Sequence, residues 1–256
     1  MTTLKPRSKK TPEKRREIGL VELPEETLLT ITVNGRSLCR LSCSPCGQLE
    51  LVLGWLFGQD LIGAAGDVAS LRFQGDQAIV RLRPGPFVRR RRSRRAGGPG
   101  ADQVTACSGG DVRAGLFDER HSVRRAYEFT LEQAVSLMEH LPAQAPMFRR
   151  HGGIHCSMLA DMKALRILVS REDIGRSNSV DKVIGWGLEE KVDFLRCALL
   201  TTGRISAEMA LKCLHAGIPT LISQTTLTTK ALEIVRRSGL TLVGHVLKPR
   251  PILLNF

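Results

Sequence analysis

Two sets of residues in this chain have types and spacings that could do chemistry. The first is a cysteine, Cys107, in the stretch Ala106-Cys107-Ser108-Gly109-Gly110, a short way downstream of Arg89–Arg95 with its six arginines. No apolar periodicity covers that stretch, so the thiol is expected in an accessible loop. Accessibility and nearby cations, which favour thiolate, are what a nucleophile or carrier needs; an incidental loop cysteine is the competing reading. The second set recurs at the ends of predicted strands. Arg171-Glu172-Asp173-Ile174-Gly175-Arg176 follows the first, Gly203-Arg204-Ile205-Ser206 the second, and Gln224-Thr225-Thr226 the third; His245 marks the fourth, with Lys248 and Arg250 close behind. Glycine admits a ligand close to the backbone, arginine matches phosphate bidentately, and helix N-termini add oriented N–H donors. A carboxylate such as Asp173 could accept the paired donors of a guanine edge. An anionic, nucleotide-like ligand is the inference, against the plain alternative of polar loops facing solvent.

The other cysteines and histidines read differently. Cys39, Cys43 and Cys46 have the C-x3-C-x2-C spacing of clusters that cleave S-adenosylmethionine. Cys39, Leu41 and Cys43 nevertheless share one face of a predicted strand, where small thiols are ordinary core residues. Cys156, Cys197 and Cys213 sit among apolar residues and are expected to be buried and inert. His151 and His155 are four apart, but Gly152-Gly153 between them argues against one helical face, and no paired Cys-x-x-Cys completes a zinc site. His155 is read as a site-lining or structurally bonded residue, and no protein-ligated metal is expected.

The elements that must position these groups are predicted from periodicity and punctuation. Thr27–Val33, Asn34-Gly35 and Arg36–Cys43 read as a hairpin on a type I′ turn. A helix is expected over Gln48–Leu61, then short strands over Ser70–Phe73 and Gln77–Leu82, then a long connection from Pro84 to Val104. Thr130 with Gln133 forms a capping box for a further helix. Strands at Leu165–Ser170, Ala198–Thr202, Thr220–Ser223 and Thr241–Val246 alternate with helices at Ser179–Glu189, Ser206–His215 and Thr228–Arg237. That alternation predicts an α/β sheet with parallel strands and helices against its faces, in a chain that is α+β overall.

Composition bounds the partners. The net charge is +13 over 256 residues. Residues 1–16 carry +6 of it and Arg89–Arg95 another +6, so the rest of the chain is close to neutral. The basicity belongs to two segments and is not a fold-wide nucleic-acid surface. Nucleic-acid binding by those segments stays open as an alternative function; without interleaved aromatics, it would rest on phosphate contacts alone. No signal-peptide core follows the basic start and no apolar run reaches membrane-span length, so a soluble, cytoplasmic protein with reduced thiols is expected.

With these residues assembled, the chain resembles the formate dehydrogenase accessory sulfurtransferase family. The motif from Arg171 to Arg176, with Asn178 and Val180-Asp181-Lys182, carries the likeness. Val33-Asn34-Gly35, Ser44-Pro45, Leu53–Phe57, Gly152-Gly153-Ile154-His155, Gly203-Arg204, Gly217-Ile218-Pro219 and Leu240–Gly244 extend it from about residue 25 to 250. The resemblance implies a cytidine-deaminase-like α/β/α C-terminal region with a smaller N-terminal β-hairpin/helix subdomain, and a homodimer. The expected division is a basic tail at 1–18, the N-terminal subdomain at 19–85, an Arg/Gly-rich loop at 86–110 and the α/β region at 111–256. It further implies a sulfurtransferase that accepts persulfide sulfur from a cysteine desulfurase on Cys107. That sulfur passes to the molybdenum (or tungsten) bis-molybdopterin guanine dinucleotide cofactor destined for the formate dehydrogenase catalytic subunit. His245, Val246, Leu247, Lys248, Pro249 and Arg250 align with the cofactor-binding stretch, and Arg171, Asp173, Arg176 and Arg204 would complete its cradle. Four places depart from the family pattern: Gly110 stands where many members have a second loop cysteine, Ser177 where His is usual, His151 where Thr is usual, and Leu247-Lys248-Pro249 where a more Gly-rich stretch is usual. A cofactor-binding chaperone that has lost sulfur transfer is the reading those departures leave open.

Overall fold

The computed structural model of the chain describes residues 23–84, 104–105 and 122–256. Cys107, Gly110, Arg89–Arg95 and residues 1–18 lie outside these residues. Strands β1 (Thr27–Val33) and β2 (Arg36–Cys43) form the expected hairpin. Asn34 and Gly35 take φ of 49° and 77°, the left-handed pair that a type I′ turn requires. β3 (Val68–Gln74), β4 (Gln77–Leu82) and β5 (Val104–Thr105) complete a sheet in the order β3-β4-β1-β2-β5. β5 runs parallel to β2, with Val104 opposite Arg40 and Thr105 opposite Leu41. Leu29, Ile31 and Val33, spaced by two, bury one face of this sheet against helix α1 (Gln48–Gly58). The helix stops short of Leu61 because Gln59 and Asp60 turn their N–H groups back onto Trp55 and Phe57.

The second sheet contains β6 (His155–Asp161), β7 (Arg166–Asp173), β8 (Cys197–Thr201), β9 (Thr220–Ser223), β10 (Thr241–Gly244) and β11 (Ile252–Leu254), in the order β11-β10-β9-β8-β6-β7. It is mixed, which corrects the all-parallel expectation. β8, β9 and β10 are parallel, whereas β6 is antiparallel to both its neighbours and β11 is antiparallel to β10. β6 escapes sequence reading because its five central residues are all buried, leaving no alternation to detect. Its insertion has one consequence for function. β7, turned over by β6, points the same way as β8, β9 and β10, so all four carboxyl ends share one edge with the amino ends of β6 and β11.

Helices cover both faces of this sheet. Helices α2 (Leu131–Glu139), α3 (Leu141–Gln144) and α4 (Pro146–His151) lie on one, where Leu137 and Met138 meet Met158, Leu200 and Val243. Helices α5 (Arg176–Glu189), α6 (Ala207–Ala216) and α7 (Thr229–Ser238) lie on the other, against Leu159, Leu199, Leu221 and Leu242. The capping box at Thr130 and Gln133 is made, and Ser206 and Thr228 cap α6 and α7. The two sheets are joined where α1 crosses α5 in backbone contact. A Cβ on Gly54 would sit 1.9 Å from the Asp181 carbonyl oxygen, and one on Gly185 1.9 Å from that of Glu50. Only glycine permits this crossing.

Candidate functional site

The shared strand edge gathers much of the second set of residues. Arg176 opens α5 after β7, and Gly203-Arg204 follow β8. His245 leaves β10 with φ 52°, at the start of the segment returning to β11. Hydrogen bonds tie these turns into one rim. Ser223 Oγ donates to the Gly203 carbonyl (2.8 Å), Ile205 N to Thr226 O (3.0 Å), His245 N to Thr225 O (2.9 Å) and Val246 N to Ser223 O (3.1 Å). Val246 is buried and fixes the segment, while Leu247, Lys248, Pro249 and Arg250 are exposed. Gly203 packs so closely on Arg176 that a Cβ there would lie 2.9 Å from the Arg176 Cβ.

This rim is cationic. Arg204, Lys248 and Arg250 are exposed cations, and Arg176 Nε is buried with no hydrogen-bond partner. α5 begins at Gly175 without a side-chain cap, leaving its first-turn N–H groups as further donors. His155 begins β6 opposite Asp173, with Nδ1 3.5 Å from Thr202 Oγ1. Burial and then the charge of Arg176 hold its imidazole below the usual histidine range, against an opposing pull from Asp173 that exceeds the remaining contribution of Arg204.

Arg171 and Asp173 have other surroundings. β7 extends to Asp173, so both lie within a strand and not in the loop that their sequence suggested. Arg171 forms a bidentate pair with Glu50 of α1 (2.6 and 2.5 Å). It lines a cavity of about 750 Å³ with Cys46, Phe73, Met147 and Lys182. Asp173 is fully buried and ion-paired to buried Lys182 at 2.6 Å. Its oxygens also accept from Ser44 N (3.1 Å), Gly175 N (2.8 Å) and Asn178 Nδ2 (2.9 Å). A guanine edge could reach it only by displacing one of these partners.

A second buried cluster sits between α5 and α6. Lys212 Nζ contacts Asp181 (2.7 Å), Glu208 (2.9 Å) and Ser177 Oγ (2.5 Å). Burial pulls the Lys212 ammonium down, but the two carboxylates outweigh it and raise it. Burial pushes Asp181 up to about 7, and its Oδ1 has no hydrogen-bond partner. Ser177, where the resemblance led one to expect histidine, therefore serves the interior: it donates to Glu208 and accepts from Lys212.

Cys156, Cys197 and Cys213 are buried, and burial pushes each thiol up to about 12. Cys43 and half-buried Cys39 are raised to the same level, first by burial. Cys46 alone is exposed among the described cysteines. Among the described residues no group of three or more His, Cys, Asp or Glu could hold a metal ion, and no helix is long and apolar enough to cross a membrane.

Sequence reasoning found the rim because strand ends are visible as transitions from apolar runs to Gly and Arg. It missed the roles of Ser44, Glu50, Asn178, Asp181, Lys182 and Lys212, whose partners lie far off in the chain. The one available signal was the density of polar residues, Ser177 to Lys182, at the start of a helix that must pack on a sheet.

Comparison with known proteins agrees with this architecture. The model of the FdhD/NarQ family matches residues 24–253. The chain is 33% identical over 223 residues to the sulfur carrier protein FdhD of Sulfolobus acidocaldarius, covering 86% of this chain and 84% of that one. It is 35% identical over 243 residues to the protein of the same name from Nocardia farcinica, covering 88% and 82%. Its fold is similar to a crystal structure assigned to a formate dehydrogenase accessory protein from Desulfotalea psychrophila, with a TM-score of 0.70 and 24% identity over 91% of this chain and 88% of that one.

Proposed function

The chain belongs to the FdhD/NarQ family, and from that premise we propose that it is a sulfur carrier serving formate dehydrogenase. In this reading the Cys107 thiolate attacks the terminal sulfur of a persulfide on a cysteine desulfurase. The S–S bond of the donor breaks, the desulfurase leaves as thiolate, and Cys107 becomes the persulfide. The terminal sulfur then passes to the pterin guanine dinucleotide cofactor, held as substrate, and Cys107 returns to thiolate. Where the acceptor takes the sulfur as sulfide, two electrons enter from a pair of external thiols that leave as a disulfide, since Gly110 offers no second loop thiol.

One observation supports the reading: a short series of described contacts links the strand that leads towards Cys107 to the cationic rim. β5 runs parallel to β2 and delivers the chain, two residues before Cys107, beside Leu41. Just past the end of β2, Ser44 N is hydrogen-bonded to the carboxylate of Asp173, whose register partner is His155 of the rim. The rim suits the phosphates of a guanine dinucleotide. Arg176, Arg204, Lys248 and Arg250 supply charge, the buried Nε of Arg176 supplies an unused donor, and the start of α5 supplies backbone N–H groups. His245–Arg250 would line the cofactor. The cysteine desulfurase and the formate dehydrogenase catalytic subunit are the partners proposed, with a homodimer in the cytoplasm as the working state and a cytidine-deaminase-like relationship for the C-terminal region.

Co-purification tests the cofactor half of this reading. Protein from a host that makes the pterin guanine dinucleotide should carry it, and Arg250→Ala should release it. Protein free of pterin, with no affinity for guanosine diphosphate, would count against the rim as a cofactor site.

A further inference from the structure

The motif from Arg171 to Lys182 spends few of its polar groups on the rim. Asp173 gathers Ser44 N, Gly175 N, Asn178 Nδ2 and Lys182 Nζ around one buried carboxylate. Asn178 Nδ2 donates also to the Ser42 carbonyl (2.8 Å), and Ser44 Oγ accepts from Ile174 N (3.1 Å). Lys182 Nζ donates to the Glu172 carbonyl as well (3.1 Å). These contacts to Ser42 and Ser44 grip the carboxyl end of β2 and the residue just past it, in the other sheet. Outside this cluster, the Arg171–Glu50 pair is a second tie between the same two regions. The backbone of Asp173 meanwhile stands opposite His155, so one residue touches both the rim and the strand that partners β5.

We propose that Asp173, Asn178 and Ser44 form a positioning clamp that holds the end of the β2–β5 strand pair at a set place beside the anion rim, and that sulfur hand-over depends on it. The proposal rests on the sulfur-carrier reading above. None of the three residues takes part in bond making. They act through β2, and their loss shifts where the strand pair ends while leaving the persulfide chemistry of Cys107 and the charges of the rim in place. Tight positional dependence is expected of a transfer between two bound groups, because a displacement of about 1 Å can cost about a hundredfold in rate.

The test separates three steps in the full-length protein. Sulfur loading is read by intact mass after incubation with a cysteine desulfurase and cysteine. Rim binding is read by titration with guanosine diphosphate, and hand-over by the rate at which isotopically labelled sulfur leaves the loaded protein for the acceptor cofactor. Asn178→Ala and Ser44→Ala should load and bind like the parent chain while hand-over falls by about a hundredfold. Hand-over at the parent rate in Asn178→Ala and Ser44→Ala would overturn the clamp and leave the sulfur-carrier reading standing. Loss of all three readouts together in both variants would also overturn it, since that is what a merely structural role gives. A parent chain that neither loads nor passes on sulfur would instead overturn the carrier reading, and the clamp with it.

Discussion

Histidine 155 shows how a single residue at the rim can report on its ligand. Its imidazole lies beside Arg176 and Arg204, with Thr202 Oγ1 near Nδ1 and Asp173 across the strand, the carboxylate already matched by Lys182. Burial, then Arg176 and to a lesser degree Arg204 disfavour its charged form, against Asp173. A bound pyrophosphate would balance those arginines and let the ring take up a proton. Affinity for guanosine diphosphate should therefore rise as the pH falls through the histidine range, with proton uptake visible by calorimetry in buffers of different ionisation enthalpy. His155→Gln should flatten that dependence. A parent chain whose affinity is indifferent to pH would show that the ring does not sense the site. At this scale the sequence was a good guide to where Arg176 and Arg204 lie, since strand ends announce themselves, and a poor one to the surroundings of Asp173. An aspartate beside glycine and arginine looks like a ligand, and only the distant Ser44 and the buried Lys182 show it to be a junction.

The elements depend on contacts that tolerate little change. The crossing of α1 and α5 admits no side chain at Gly54 or Gly185, so Gly54→Ala must push two helix backbones apart. A loss of about 3 kcal/mol is expected from such overpacking, read as a lower denaturant midpoint. An unchanged midpoint would mean that the helices separate at no cost. The α5–α6 interface carries a pH dependence of its own. Asp181 is raised to about 7 by burial, so between the ordinary carboxylate range and that value the folded protein holds a proton that the unfolded chain has released. This contribution to stability is full below the ordinary range and is lost as pH rises through about 7. Asp181→Asn has no such proton and should make the fall in stability from about pH 5 to about pH 8 shallower; an equally steep fall would assign it to other groups. The hairpin was legible to the residue, because Asn34-Gly35 has one favoured turn. The helices after β8 and β9 were nearly so, because Ser206 and Thr228 are caps. β6 and the first turn of α5 were not. Both are buried without an apolar–polar rhythm, the one by neighbours on each side and the other by polar groups bonded to each other.

At the scale of the molecule, the insertion of antiparallel β6 aligns the carboxyl ends of β7 to β10, and the Asp173 junction brings the end of β2 to that edge. On the sulfur-carrier reading proposed above, such an arrangement would let a loaded cysteine and a ligand rim be served by the same short stretch of chain. The central claim is that Cys107 is the sulfur-bearing residue. Intact mass after incubation with a cysteine desulfurase and cysteine tests it most directly. The account predicts an increment of one sulfur atom on the parent chain, removed by thiol reductant and absent from Cys107→Ala. An unmodified parent chain, or the same increment on Cys107→Ala, would contradict it.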